Sequence, residues 1–174
     1  MNVFVALLRA VNVGGTGKLP MSDLRALCEG LGFQSVTTYI QSGNVVFRSG
    51  LTAASAQRSL EVALASHLGK MHAAHVRSGA ELRAIEEKNP FPDAAPNQVL
   101  VLFLADPPDE DTLAQVEAPG GEVLRAGNRE VYIHFPHGMG RSKLKIPFTS
   151  HGTGRNLNTV RKLVTLADAV AAGA

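Results

Sequence analysis

The order in which the hydrophobic period changes along the chain constrains its fold more than any single motif. Val3 to Val11 is a near-continuous apolar run, short for a helix and closed by glycines at 14, 15 and 17, which predicts a buried central strand. Pro20 suits the first turn of a following helix with Leu24, Leu27, Cys28 and Leu31 as its apolar face, ended by Gly30 and Gly32. Thr37 to Ile40 and Val45 to Arg48 are β-rich runs around the turn-forming Gln41-Ser42-Gly43-Asn44, a hairpin pattern. A helix from about Thr52 to Leu68 carries Ala56, Leu60, Leu64 and Leu68 on one stripe and stops at Gly69. His72 to Arg77 is a strand candidate. The resulting order, β-α-β-β-α-β, is that of a ferredoxin-like split unit.

Ser78-Gly79-Ala80-Glu81 then has the form of a capping box opening a short helix, which Asn89-Pro90 ends. Asn89 to Asn97 holds three prolines and reads as a linker. Beyond it the order begins again: a strand from Gln98 to Ala105, a helix opened by Asp106-Pro107 and running through Leu113 and Val116, and strands Glu122 to Ala126 and Glu130 to Phe135. Gly127-Asn128 is a two-residue hairpin signal, and Val131, Ile133 and Phe135 alternate with Tyr132 and His134 as in a half-buried strand. The last helix takes Asn156 or Asn158 as its N-cap and buries Val160, Leu163, Val164, Ala167, Val170 and Ala171. The expected fold is α+β: two ferredoxin-like halves packed as one compact unit, the second abbreviated. Residues 1–88 form the first half plus a linking helix, and 98–174 form the second half with the C-terminal helix.

Length and composition exclude several classes. A chain of 174 residues buries enough surface to fold without a disulfide or metal. With 45% hydrophobic and 18% charged residues it is neither disordered nor membranous, and Arg9 ends the first apolar run too early for a membrane span. A single cysteine, Cys28, within an apolar helical stripe, fits a core residue and a reducing cytosol, so the expected location is cytoplasmic. The formal charge of +2 hides an asymmetry: residues 1–136 hold 11 basic against 14 acidic side chains, whereas 137–174 hold six basic residues against Asp168 alone.

Three segments share a Gly-x-Gly-cation form: Gly15-Thr16-Gly17-Lys18, Gly138-Met139-Gly140-Arg141 and Gly152-Thr153-Gly154-Arg155. Glycines let successive N–H groups converge on a phosphate or carboxylate, and the cation adds charge, although each segment serves equally as a simple turn. The third directly precedes a helix, whose free N–H groups favour an anion. The first lacks Walker spacing, since Asn12 stands where glycine and Leu19 where a hydroxyl is required, and the second has Lys143 where a dinucleotide fingerprint needs glycine. Arg141-Ser142-Lys143 with Lys145 is a cationic patch or a guarded edge strand. Arg9 and Asn12 lie at the end of a buried strand, where ligands of open sheets tend to sit, and Gln41, Ser42 and Asn44 offer polar groups at one turn. His72 and His75, three apart on a strand, point to opposite faces and do not make a metal pair. His134, His137 and His151 cluster near the basic segments.

These residues closely resemble the DUF1697 family. The resemblance is carried by Val5-Ala6-Leu7-Leu8-Arg9-Ala10-Val11-Asn12-Val13-Gly14-Gly15, Lys18-Leu19-Pro20-Met21, Leu31-Gly32-Phe33 and Thr38-Tyr39-Ile40-Gln41-Ser42-Gly43-Asn44-Val45-Val46-Phe47. It continues through Asn89-Pro90-Phe91, Gly140-Arg141-Ser142-Lys143-Leu144 and the stretch from Thr153 to Leu163. The resemblance implies a bacterial α+β protein of two ferredoxin-like halves with no established activity, substrate or cofactor. Two departures stand out: members usually carry a helix where only Lys145 to Gly152 intervenes here, and Leu157 replaces a usual Trp.

The preferred expectation is binding of a phosphate-bearing or other anionic small molecule by Arg9, Asn12, Gly15, Lys18, Gln41, Ser42, Asn44, Arg141, Ser142, Lys143, Arg155, Asn156 and Asn158. The site would lie between the Arg9–Lys18 and Arg141–Asn158 regions. No metal, cofactor or membrane partner is implied. A nucleic-acid-binding module is the alternative, disfavoured by the low net charge and the absence of Trp. An enzyme using one of the three clustered histidines as a base, and a protein–protein adaptor, complete the alternatives.

Overall fold

The computed structural model describes residues 1–14 and 18–173. Its elements run β1 (Asn2–Leu8), α1 (Met21–Gly30), β2 (Gln34–Tyr39), β3 (Asn44–Ser49), α2 (Ala53–Leu68), β4 (Ala74–Ser78) and α3 (Gly79–Glu87). They continue as β5 (Val99–Phe103), α4 (Glu110–Ala114), β6 (Val123–Ala126), β7 (Glu130–His134), β8 (Thr153–Asn156) and α5 (Leu157–Ala172). The strands form two four-stranded antiparallel sheets, ordered β2-β3-β1-β4 and β6-β7-β5-β8. The second order repeats the first strand for strand, so the chain is two ferredoxin-like halves. Two compact units result: Met1–Arg83 with Lys162–Ala174, and Ala84–Arg161. The division therefore passes through α5, which the sequence places whole in the second half.

In the first unit the local signals work as written. Thr52 Oγ1 accepts the Ser55 N–H at 3.2 Å and opens α2, and Gly69, with φ 70°, closes it. The Ser78 N–H donates to Glu81 Oε2 at 2.7 Å while the Glu81 N–H donates to Ser78 Oγ at 3.0 Å, the reciprocal capping box. Phe4, Ala6 and Leu8 of β1 face Leu24 and Cys28 of α1 and Ala56, Leu60 and Leu64 of α2 in one cluster. The alternate residues Val5, Leu7 and Val46 are also buried, together with Asn44, His75 and Arg77. With both faces covered, β1 reads as an unbroken apolar run.

The second unit departs from expectation at four places. Its first helix is one turn long, because Pro107-Pro108 delays its start and Pro119-Gly120-Gly121 follows closely. The β6–β7 turn closes with the Gly127 N–H donating to the Glu130 carbonyl at 2.7 Å, so its central residues are Asn128 and Arg129, one later than Gly127-Asn128. Tyr132 does not face solvent: it is buried and its hydroxyl donates to the Ile85 carbonyl at 2.7 Å. Gly152-Thr153-Gly154-Arg155 is no loop, since Thr153–Asn156 is strand β8, paired with β5. The stretch from Lys145 to Gly152 contains no helix, as Pro147 suggests. In its place Met139, Leu144, Ile146 and Phe148 pack against Leu102, Leu104, Val131, Ile133 and Phe135. An irregular apolar segment thus covers the sheet face that a helix covers in the first unit.

Candidate functional site

A cleft of about 230 Å³ opens in the second unit where the turn before β6 meets the segment after β7. Gly138, at φ 84°, turns the chain into a single 3-10 turn, Met139–Arg141, from which Arg141 and Lys143 extend into solvent at the cleft rim. Ser142 points the other way, its hydroxyl donating to Glu122 Oε1 at 2.6 Å, while the Gly120 N–H donates to Glu122 Oε2 at 2.8 Å. Glu122 is only 6% exposed. The Ser142 hydrogen bond, backbone N–H groups and the neighbouring His137 hold its carboxyl below the ordinary 4.5, so it is ionised at neutral pH. The cleft therefore presents Arg141, Lys143 and His137 beside one fixed carboxylate.

The expected residues of the first unit gather at one end of its sheet. Asn12 sits at φ 54°, donates to the Leu19 and Gln41 carbonyls at 2.8 Å each and accepts the Leu19 N–H at 2.7 Å, so its amide ties the segment after β1 to the hairpin tip. Asn44 is buried and donates to the Tyr39 carbonyl at 2.9 Å and to Ser42 Oγ at 3.0 Å, closing the same hairpin. Ala10 and Ile40 also have positive φ, 55° and 47°, costly for a β-branched residue. Lys18 and Gln41 are exposed, and Arg9 is half-buried with its carbonyl 3.3 Å from His72 Nδ1. Gly15 lies outside the described residues.

The remaining candidates belong to β8 and α5. Asn156 Oδ1 accepts the Thr159 N–H at 2.9 Å and is the N-cap of α5, and Asn158 is exposed on its first turn. Arg155 is buried, donating to Thr153 Oγ1 at 2.8 Å and the Gly154 carbonyl at 2.9 Å, and burial pushes its guanidinium down to about 10. Its counterpart in the first sheet is Arg77, which the sequence did not single out. Arg77 stands opposite Val5 as Arg155 stands opposite Val101, and each donates to the carbonyl of the residue before it. These two arginines are parts of the sheets, not of an open loop.

Of the clustered histidines only His137 lines the cleft. His134 packs on Phe91, and His151 lies beside Ser150 and Phe148. His72 precedes β4 while His75 lies within it, opposite Leu7, and both are buried. Among the described residues no group of His, Cys, Asp or Glu could hold a metal ion. Cys28 is buried and its thiol is pushed up to about 12 by desolvation and by Glu29, which leaves it inert as a nucleophile. Among the described residues no helix is long and apolar enough to cross a membrane. Glu122 is the site residue that the sequence missed; its only local signal is an acid following Gly120-Gly121.

Comparison with known proteins agrees with this architecture. No curated protein matches the chain. Among solved structures it is similar to a conserved bacterial protein from Streptococcus pneumoniae, at 28% identity and a TM-score of 0.79, over 95% of this chain and 98% of that one. The model of the DUF1697 family, described as a protein of unknown function, matches residues 1–132, so the Arg141–Leu163 motifs lie beyond the matched range. With three-quarters of its length matched by that model and both halves of its fold in place, the chain belongs to the DUF1697 family.

Proposed function

We propose that this protein binds a small phosphate-bearing or other anionic ligand in the cleft of its second unit. The observation that carries the reading is the pairing of Arg141 and Lys143 at the rim with Gly138 in a left-handed conformation at its mouth. Two cations offer charge-assisted hydrogen bonds to oxyanion oxygens, and a glycine at φ 84° leaves room for a ligand to approach the backbone. Arg9, Lys18 and Gln41 form a separate polar set in the first unit and are proposed as a secondary contact region. The nucleic-acid alternative has less support, because the central strands of both sheets are buried on both faces and offer no stacking platform.

Calorimetry with inorganic phosphate and small carboxylates tests the proposal. Each charge-assisted contact is worth roughly 1.5–3 kcal/mol, so Arg141→Ala and Lys143→Ala should each weaken binding about ten- to a hundredfold. Binding unchanged in the double variant would overturn the assignment. A salt-sensitive mobility shift with RNA or DNA would favour the alternative.

A further inference from the structure

We infer that the ligand of this cleft is amphoteric, a small molecule carrying an anionic group for Arg141 and Lys143 together with an amine for the Glu122 carboxylate. The inference rests on the anion-binding reading and narrows it. A site built only for an anion gains nothing from a fixed carboxylate, which repels the ligand it is meant to hold. Here the carboxylate is held in place: Ser142 Oγ donates to one oxygen at 2.6 Å and the Gly120 N–H to the other at 2.8 Å. A Cβ on residue 120 would lie 2.7 Å from Glu122 Oε1, so glycine at this position leaves the carboxylate its place. With Ser142, Gly120 and its own backbone N–H as donors, the carboxylate still keeps at least one of its roughly four acceptor positions for a ligand ammonium.

Size limits the ligand as well. The cleft, at about 230 Å³, is smaller than the ~300–1,000 Å³ pockets that enclose drug-sized molecules. An amino acid or a short phosphoamine is of the size that the cleft takes up. Because Ser142 lies between Arg141 and Lys143 and binds Glu122 directly, the same three-residue stretch sets the spacing between the anion and cation positions.

Two matched pairs of probes test this by calorimetry: O-phosphoethanolamine against ethyl phosphate, and β-alanine against propionate. The parent protein should bind the amine-bearing member of at least one pair about tenfold more tightly, as expected for one charged hydrogen bond. Glu122→Gln, which keeps the shape, removes the charge and leaves one acceptor oxygen in place of two, should erase that preference. Equal binding of the two members in both pairs would overturn the amphoteric assignment and leave anion binding standing. Binding of none of the four probes would overturn both readings. A preference retained in Glu122→Gln would remove Glu122 as the amine partner. If that variant does not fold, the comparison in the parent alone decides the ligand class.

Discussion

The two sheets share one strand order but not one cover. In the first, α1 and α2 pack Leu24, Cys28, Ala56, Leu60 and Leu64 onto β1, β3 and β4. In the second, the position of α2 is taken by a segment with one 3-10 turn and no α-helix, whose Met139, Leu144, Ile146 and Phe148 meet Leu102, Val131 and Ile133. Strand order is thus compatible with either cover, because a sheet face needs apolar surface removed from water rather than a helix as such. The irregular cover has a consequence that a helix would not allow. Its first residues bend at Gly138 and project Arg141 and Lys143 outward while Ser142 turns in to Glu122.

The largest expected effect sets the two covers against each other. Leu60→Ala, at a fully buried position of α2, should cost about 2–5 kcal/mol in urea unfolding, through lost transfer energy and the cavity left behind. Ile146→Ala, at a half-buried position of the irregular cover, should cost roughly half as much, in proportion to the apolar area it removes from water. Equal losses would show that the irregular segment is as tightly packed as the helix.

The hairpins give the next comparison. Gly43 has φ 90°, and a Cβ there would lie 2.7 Å from Val11 Cγ2 and 2.9 Å from Leu8 Cβ, so Gly43→Ala should cost on the order of 2–4 kcal/mol. In the β6–β7 turn, a Cβ on Gly127 would overlap the Glu130 carboxylate, which the Asn128 and Arg129 N–H groups hold, and would lie 2.8 Å from Glu130 Cγ, but its φ suits any residue, so Gly127→Ala should cost roughly 1–3 kcal/mol, less than Gly43→Ala. Thermal unfolding of the two variants side by side measures the difference.

The smallest effect is the acid response of the second unit. Glu122 is held below its ordinary 4.5 in the folded chain, so its contribution to stability is complete above that value and is lost as pH falls through the lower folded value. Glu122→Gln should therefore flatten the decline in stability below about pH 4.5 and leave the neutral-to-alkaline slope unchanged, as followed by unfolding midpoints across pH. An unchanged acid limb would place the sensitive carboxylates elsewhere.

Most of the element order was legible because its signals are local. Thr52, Gly69, the Ser78–Glu81 box and Asn156 act on backbone groups within a few residues of themselves, so their chemistry is written where it operates. The candidate site was legible only in part. Arg141, Ser142 and Lys143 share a motif, whereas Glu122 lies 20 residues from its partner Ser142 and carries no mark of that pairing. Asn12 and Asn44 were visible as polar residues at turns, but not as the groups that tie those turns together.

What the sequence determined by itself was the α+β class, the doubled strand order and the places where helices begin and stop, since these follow from periodicity and capping. What only the tertiary structure decided was the fate of Gly152-Thr153-Gly154-Arg155. As an isolated segment it has the form of an anion loop; paired with β5 it is a strand whose arginine is buried. The physical reason is that β8 meets Leu100 to Phe103 across about fifty residues of chain, and a ladder formed over that distance leaves no periodic trace in four residues that include two glycines. A separate contact over 20 residues of chain brings Glu122 to Ser142 and so sets a carboxylate beside the two cations of the cleft.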